Sequence, residues 1–296
     1  MAAAVSPATG ANASKVGRRF FRPRPLVATC LIGGLIAFGL GVERHALWPV
    51  VGACMANYRA TGASFPCLAV DLSGGVDRGA VVLRPPIGPP DTILSPTRKV
   101  VGIEDPWLRS PGAPNYFAAA LRARWLVSGP KGQAPGVGDI ALAANSRFAR
   151  TQDQLHIHIG CAAPSIRRAL RLAAGSLKVG EWTQIGPPAA DATLWAMPTG
   201  QSDLAQVEPF RLAAQRFAGD DLGRLTIAVV GARAADRDEL TLLVAEDPGS
   251  PDGALFSAED VVDSRCRPSD VSAAEPRPEP HQPLAASTGP AAAQGL

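Results

Sequence analysis

Leu155-His-Ile-His-Ile159 alternates apolar and imidazole side chains with a period of two. That is the period of a strand, so Leu155, Ile157 and Ile159 share one face while His156 and His158 share the other. The apolar face asks for a core behind it. The other face sets two imidazoles with Cα atoms roughly 6.6 Å apart by strand rise. The chain has four histidines, so half of them stand here. His45 lies beside an apolar segment and His281 lies in a Pro-rich tail, so neither is placed to join the pair.

The neighbouring sequence builds a sheet around this strand. Ile140 to Ala144 reads as a strand that enters a polar loop at Asn145, and Gln154 to Gly160 reads as its antiparallel return. Further short strands are predicted at Val76–Leu83, Thr92–Leu94, Trp182–Ile185, Leu194–Met197, Leu225–Val230 and Leu240–Ala245. Helices are predicted from Ala113-Pro-Asn-Tyr-Phe to about Val127, from Ala163 to Ala174 after Pro164-Ser165, and from Glu208 to Phe217. Proline suits a first helical turn, and Gly129-Pro-Lys-Gly ends the first of these helices. Hairpins mixed with helices point to an α+β fold.

Charge is distributed unevenly. The formal net charge is +3, but residues 1–25 carry five basic residues and no acid, which leaves the remainder slightly acidic. A basic body of the kind that binds nucleic acid is therefore not present. The basic stretch precedes Leu26–Val42, 17 residues without a charge. This order predicts a cytoplasmic N-terminus, a single-pass inner-membrane anchor at 26–42 and an exported domain on the periplasmic or extracytoplasmic side. A cleaved signal peptide is the alternative. Residues 267–296, rich in Pro, Ala and Ser, read as a disordered tail, which leaves about 50–266 for the folded domain.

Export bears on the cysteines. Cys30 lies inside the apolar run; Cys54, Cys67, Cys161 and Cys266 remain. An even set in an oxidising compartment suggests two disulfides, with three connectivities open. Cys54 and Cys67 are near neighbours, and Cys161 with Cys266 would tie the histidine strand to the domain's end. No two of the four have close zinc-ligand spacing.

Two histidines on one strand face admit three readings: a polar surface, a metal site, or nucleophilic catalysis on phosphorus. The metal reading lacks a third histidine. Imidazole, with an unperturbed pKa of about 6.5, is largely neutral and nucleophilic near neutrality, and a covalent intermediate splits one displacement into two easier steps. Asn145, Ser146, Arg147, Arg150, Thr151 and Gln152 supply donors beside it, and arginine suits phosphate oxygens.

The run Asn145-Ser-Arg-x-x-Arg-Thr-Gln-x-Gln-Leu-His-Ile-His-Ile-x-Cys161 resembles the signature of the membrane-bound CDP-diacylglycerol pyrophosphatases. Ser95-Pro-Thr, Gly102-Ile-Glu-Asp-Pro, and Ala113-Pro-Asn-Tyr-Phe followed by Arg122 and Arg124 fit that family in the same order. So do the anchor and the four cysteines. The resemblance covers about Cys54 to Cys266. That family is similar in turn to the histidine-triad superfamily, whose motif carries three alternating histidines after a Gln. Here Gln152 stands four before His156, Asn145 stands seven before Gln152, and Gly160 occupies the third histidine's place.

The resemblance implies a histidine-triad-like domain with an antiparallel sheet and flanking helices. It implies His158 as nucleophile, His156 as its support, and Asn145, Arg147, Arg150, Thr151 and Gln152 around the phosphates, with Thr151 one candidate to replace the missing histidine. It implies CDP-diacylglycerol as a lipid-nucleotide substrate at a membrane, with no metal and no cofactor. A related enzyme of soluble nucleotide pyrophosphates, and an anchored binding protein without catalysis, are the alternative readings.

Overall fold

The computed structural model describes residues 44–85, 91–127, 134–186, 193–217, 221–233, 237–247 and 256–266. The basic residues 1–25, the apolar run 26–42, His281 and the tail 267–296 lie outside them. In chain order the elements are α1 (Leu47–Thr61), β1 (Ala69–Asp71), β2 (Ala80–Leu83), β3 (Thr92–Pro96), α2 (Tyr116–Arg122), β4 (Ile140–Ala144) and β5 (Ile157–Ala162). They continue as α3 (Pro164–Ala173), β6 (Thr183–Ile185), β7 (Thr193–Pro198), α4 (Pro209–Arg216), β8 (Leu225–Arg233), β9 (Asp238–Glu246), α5 (Ala258–Val261) and β10 (Val262–Asp263).

The strands form one sheet in the order β1-β2-β3-β5-β4-β8-β9-β7-β6, with β10 added on β5. Every pairing among the described residues is antiparallel. The fold is α+β, as the mixture of hairpins and helices predicts. Helices cover both faces, which is why β8 reads as a nearly continuous apolar run and not as a clean alternation.

One face carries Leu94, Leu142, Ile157, Ile159, Ile227 and Leu242, packed with Tyr116 and Phe117 of α2 and Phe210 of α4. The other face is divided. Val81, Leu83 and Ile93 pack against Leu47, Val51 and Cys54 of α1. Ala143, Ala228 and Leu243 pack against Ile166 and Leu170 of α3 and Ala258 and Val261 of α5. His158 pairs with Ile93 on one side and Ala143 on the other, so it stands on the seam between these two clusters.

Some boundaries differ from the sequence reading. Val76–Arg78 is a 3-10 turn, and the strand begins only at Ala80. Gly75 enters that turn at φ 84°, a left-handed conformation that suits glycine. Asn115 caps α2 by accepting from the Ala118 amide, so Pro114 lies just outside the helix, which tightens to a 3-10 turn at Ala123–Leu126. The ladder of the histidine strand starts at Ile157 and runs on to Ala162. α1 went unpredicted, although Leu47, Val51 and Cys54, its buried residues, have helical spacing.

Both disulfides are formed, Cys54–Cys67 and Cys161–Cys266. Cys161 lies on the apolar face with Ile157 and Ile159, opposite the histidines, and is wholly buried with Cys266. The bridge therefore braces β5 from behind. No helix among the described residues is long and apolar enough to cross a membrane.

Candidate active site

β5 is flanked along one edge by β4, through pairs from Ala143↔His158 to Ile140↔Cys161. Its other edge is shared. β3 covers Ile157 to Ile159, and β10 takes over at Cys161 and Ala162. The ends of β3 and β10 thus meet at Gly160, two residues past His158. Asp91, the residue before β3, lies two before Ile93, the partner of His158. The period of two returns it to the same face.

The Nδ1 of His158 lies 3.2 Å from Asp91 Oδ2, with both side chains buried. A carboxylate accepts, so Nδ1 carries a proton, and in the neutral ring Nε2 holds the lone pair. Nε2 itself is buried with no hydrogen-bond partner. The hydrogen bond from His158 holds the Asp91 carboxyl below the usual carboxylate range, against the opposing effect of burial, and a hydrogen bond from Ser264 adds to it. An imidazole held through one nitrogen, with the other oriented and unengaged, is the arrangement of an activated nucleophile. Asp91 was not found from the sequence. The signal was its place two residues before a strand partner of His158.

His156 is buried, its ring centroid 5.2 Å from that of His158, and its Nδ1 donates to the Gln154 carbonyl at 2.9 Å. Burial pushes the imidazole down to about 4, with the neighbouring His158 adding to the effect and the Gln154 carbonyl opposing it. The ring is therefore neutral across the physiological range. An unfolded chain protonates this side chain near 6.5, whereas the native one does so only near 4. The stability that follows is fully present above pH 6.5 and is lost as pH falls toward 4, by about 3 kcal/mol at the lower end. Denaturant unfolding at neutral pH and near the bottom of that window should show this slope in the wild type. H156Q should flatten it; an equal slope in both would assign the acid sensitivity elsewhere.

From the far side comes Glu259, on α5. Its Oε1 lies 3.9 Å from His158 Nε2, and its side chain is half exposed. Asn145 holds α5 in place, because its Oδ1 accepts from the Ala258 amide at 2.6 Å. Ser257 and Asp260 complete a capping box at the same helix start. Among the described residues, Asp91, His158 and Glu259 each offer one ligand atom within 4.8 Å of the others, so these three could gather a cation. A cation on His158 would occupy a nitrogen lone pair of the ring.

The loop residues predicted to bind phosphate are placed in several ways. Arg150 is buried and bonded to both Glu104 oxygens at 2.8 Å and to Asp153 at 3.2 Å. It is close enough to His156 to oppose its protonation. The Gln152 side chain accepts from the Leu47 amide at 2.8 Å, at the start of α1. Arg147 is partly exposed and ion-paired with Asp221, and Thr151 is exposed. The structure therefore gathers His156, His158, Asp91 and Glu259 directly, with Asn145 and Arg150 behind them. His45 is exposed beside Asp153 and is not among them.

A profile of the CDP-diacylglycerol pyrophosphatases matches residues 42–270. The chain belongs to this family. The CDP-diacylglycerol pyrophosphatase of Yersinia pestis is 31% identical over 245 residues, 82% of this chain and 92% of that protein. The probable CDP-diacylglycerol pyrophosphatase of Mycobacterium leprae is 35% identical over 224 residues, 75% of this chain and 80% of its own. The CDP-diacylglycerol pyrophosphatase of Mycobacterium bovis BCG Pasteur is 38% identical over 167 residues, 54% of this chain and 62% of its own. The matched span takes in Asp91, His156, His158, Glu259 and all four bridged cysteines.

Proposed function

We propose that this protein hydrolyses CDP-diacylglycerol to CMP and phosphatidate through a cytidylyl intermediate on His158. Family membership and the similarity to CDP-diacylglycerol pyrophosphatases support the reaction. The observation that carries the nucleophile is the buried His158 Nε2, unpartnered while Nδ1 is held on Asp91. Nε2 attacks the phosphorus of the CMP half, the P–O bond to phosphatidate breaks, and phosphatidate leaves with the electron pair. Water then attacks the same phosphorus, the P–N bond breaks, and CMP departs.

The surrounding residues divide the remaining work. His156, neutral and packed on His158, keeps the second ring oriented. Arg147 and Thr151, the solvent-facing members of the loop, are the direct phosphate contacts. Arg150, paired with Glu104 and Asp153, supports the site indirectly, by opposing protonation of His156. Asn145 and Gln152 act through α5 and α1. Asn145, Gln152, His156 and His158 at their spacing support a histidine-triad-like domain over 50–266. The uncharged run 26–42 behind a basic leader supports a single-pass inner-membrane anchor with this domain outside the cytoplasm. The two disulfides, which persist in oxidising compartments, support the same topology. An anchor also suits a lipid substrate by keeping the site at the bilayer surface.

The test is a substrate panel of CDP-diacylglycerol, dinucleoside polyphosphates and nucleoside diphosphate sugars, each with and without chelator. CDP-diacylglycerol should be turned over best, and chelation should leave its rate unchanged, since imidazole attack needs no metal. Better turnover of a soluble pyrophosphate would replace the lipid substrate. Loss on chelation, restored by stoichiometric metal, would make Asp91, His158 and Glu259 a metal site.

A further inference from the structure

Along β5 the face bearing His156 and His158 continues to Gly160. No side chain fits there. A Cβ at Gly160 would stand 2.6 Å from Val262 Cγ1 and 2.9 Å from the Asp263 carbonyl oxygen, because β10 closes over it. The segment that fills this space also delivers a different functional group. Glu259, three residues before β10, brings Oε1 to 3.9 Å from His158 Nε2. That gap is too long for a hydrogen bond, so the carboxylate stands near the reacting nitrogen without engaging it. Its position is held from both ends of the segment, by Asn145 on the Ala258 amide and by the Cys161–Cys266 bridge.

We propose that Glu259 is the general base of the second half-reaction, the hydrolysis of the cytidylyl-His158 intermediate. This rests on the reading of His158 as nucleophile. The two half-reactions differ in what they need. In the first, phosphatidate leaves as a phosphate monoester that carries its own negative charge, so no proton donor is required. In the second, the attacking water must lose a proton as its oxygen bonds to phosphorus. The P–Nε2 bond breaks and its electron pair returns to the ring. The water proton passes to a Glu259 oxygen and, from that half-exposed side chain, to solvent. Asp91 is committed to His158 Nδ1, and burial beside His158 disfavours a proton on His156. Half exposed, Glu259 has solvent beside it into which the side chain can turn as the substrate phosphate enters and toward the face from which phosphatidate has left.

The test compares E259Q with wild type and H158A by rapid quench and intact mass, using CDP-diacylglycerol. E259Q should release a burst of phosphatidate stoichiometric with enzyme, then turn over about 10²–10⁴-fold more slowly than wild type. During that phase it should carry one cytidylyl group, which maps to His158. Fluoride, a nucleophile with no proton to lose, should speed breakdown of the E259Q adduct, and E259D should recover part of the rate with water. E259Q turning over at the wild-type rate overturns the proposal. So does a slow E259Q with neither burst nor adduct, while H158A is inactive; that outcome leaves His158 standing. An active H158A with no adduct in any enzyme removes the nucleophile and the base together.

Discussion

H158A is expected to fold normally and to lose CDP-diacylglycerol hydrolysis by at least about 10⁴-fold, since removal of a covalent nucleophile costs on that order or more. The fold should survive because the position lies on the seam between two apolar clusters and its hydrogen bond is to Asp91, not to the sheet's core. Far-UV dichroism and the thermal midpoint check that part. Added imidazole should restore some hydrolysis to the truncated enzyme, which a general structural defect would not allow. D91N should fall by about 10²–10⁴-fold with a similar KM, because an amide in place of the carboxylate permits the unproductive tautomer. Near-normal hydrolysis by H158A would end the nucleophile assignment; a normal D91N would show that the tautomer is set by something else.

The second large effect concerns the bridge behind β5. Cys161 and Cys266 are 105 residues apart, against 13 for Cys54 and Cys67. Chain entropy alone gives about 4.7 kcal/mol for the longer loop and about 3 kcal/mol for the shorter. C161A/C266A should therefore lose more stability in denaturant unfolding than C54A/C67A does. It should also lose more activity, because the bridge ends the segment carrying Glu259 and Ser264, the latter bonded to Asp91. C54A/C67A should keep its kcat, since that bridge ties α1 to the turn after it. Equal losses in the two double variants would show that the long bridge adds nothing specific to the site.

The central strand was legible because its chemistry and its period coincide. Two histidines alternating with Leu155, Ile157 and Ile159 admit one backbone and one pair of faces, and Cys161 falls on the buried face for the same reason. The hairpin partner was legible as well, since Ile140–Ala144 is short, apolar and ends at a polar loop. The carboxylates were not. Asp91 follows a Pro-rich stretch and acts through register, which no local pattern states. Glu259 lies 101 residues beyond His158, and only β10 pairing brings it back. A Ser257-x-x-Asp260 capping box did mark that helix, but a capping box says where a helix starts and not what it covers. The loop arginine Arg150 illustrates the opposite case. Its residue type suits phosphate, yet the fold surrounds it with Glu104 and Asp153.

The segment from Phe256 to Cys266 has a temporal meaning too. A polypeptide is made N-terminus first, so both histidines of the strand leave the ribosome long before this segment does. Until it arrives, Asn145 has no Ala258 amide to hold, Gly160 has no strand across it and Cys161 has no partner. The nascent chain can form its histidine strand and remain silent. Under the roles proposed for His158 and Glu259, hydrolytic competence waits for these last eleven described residues to dock.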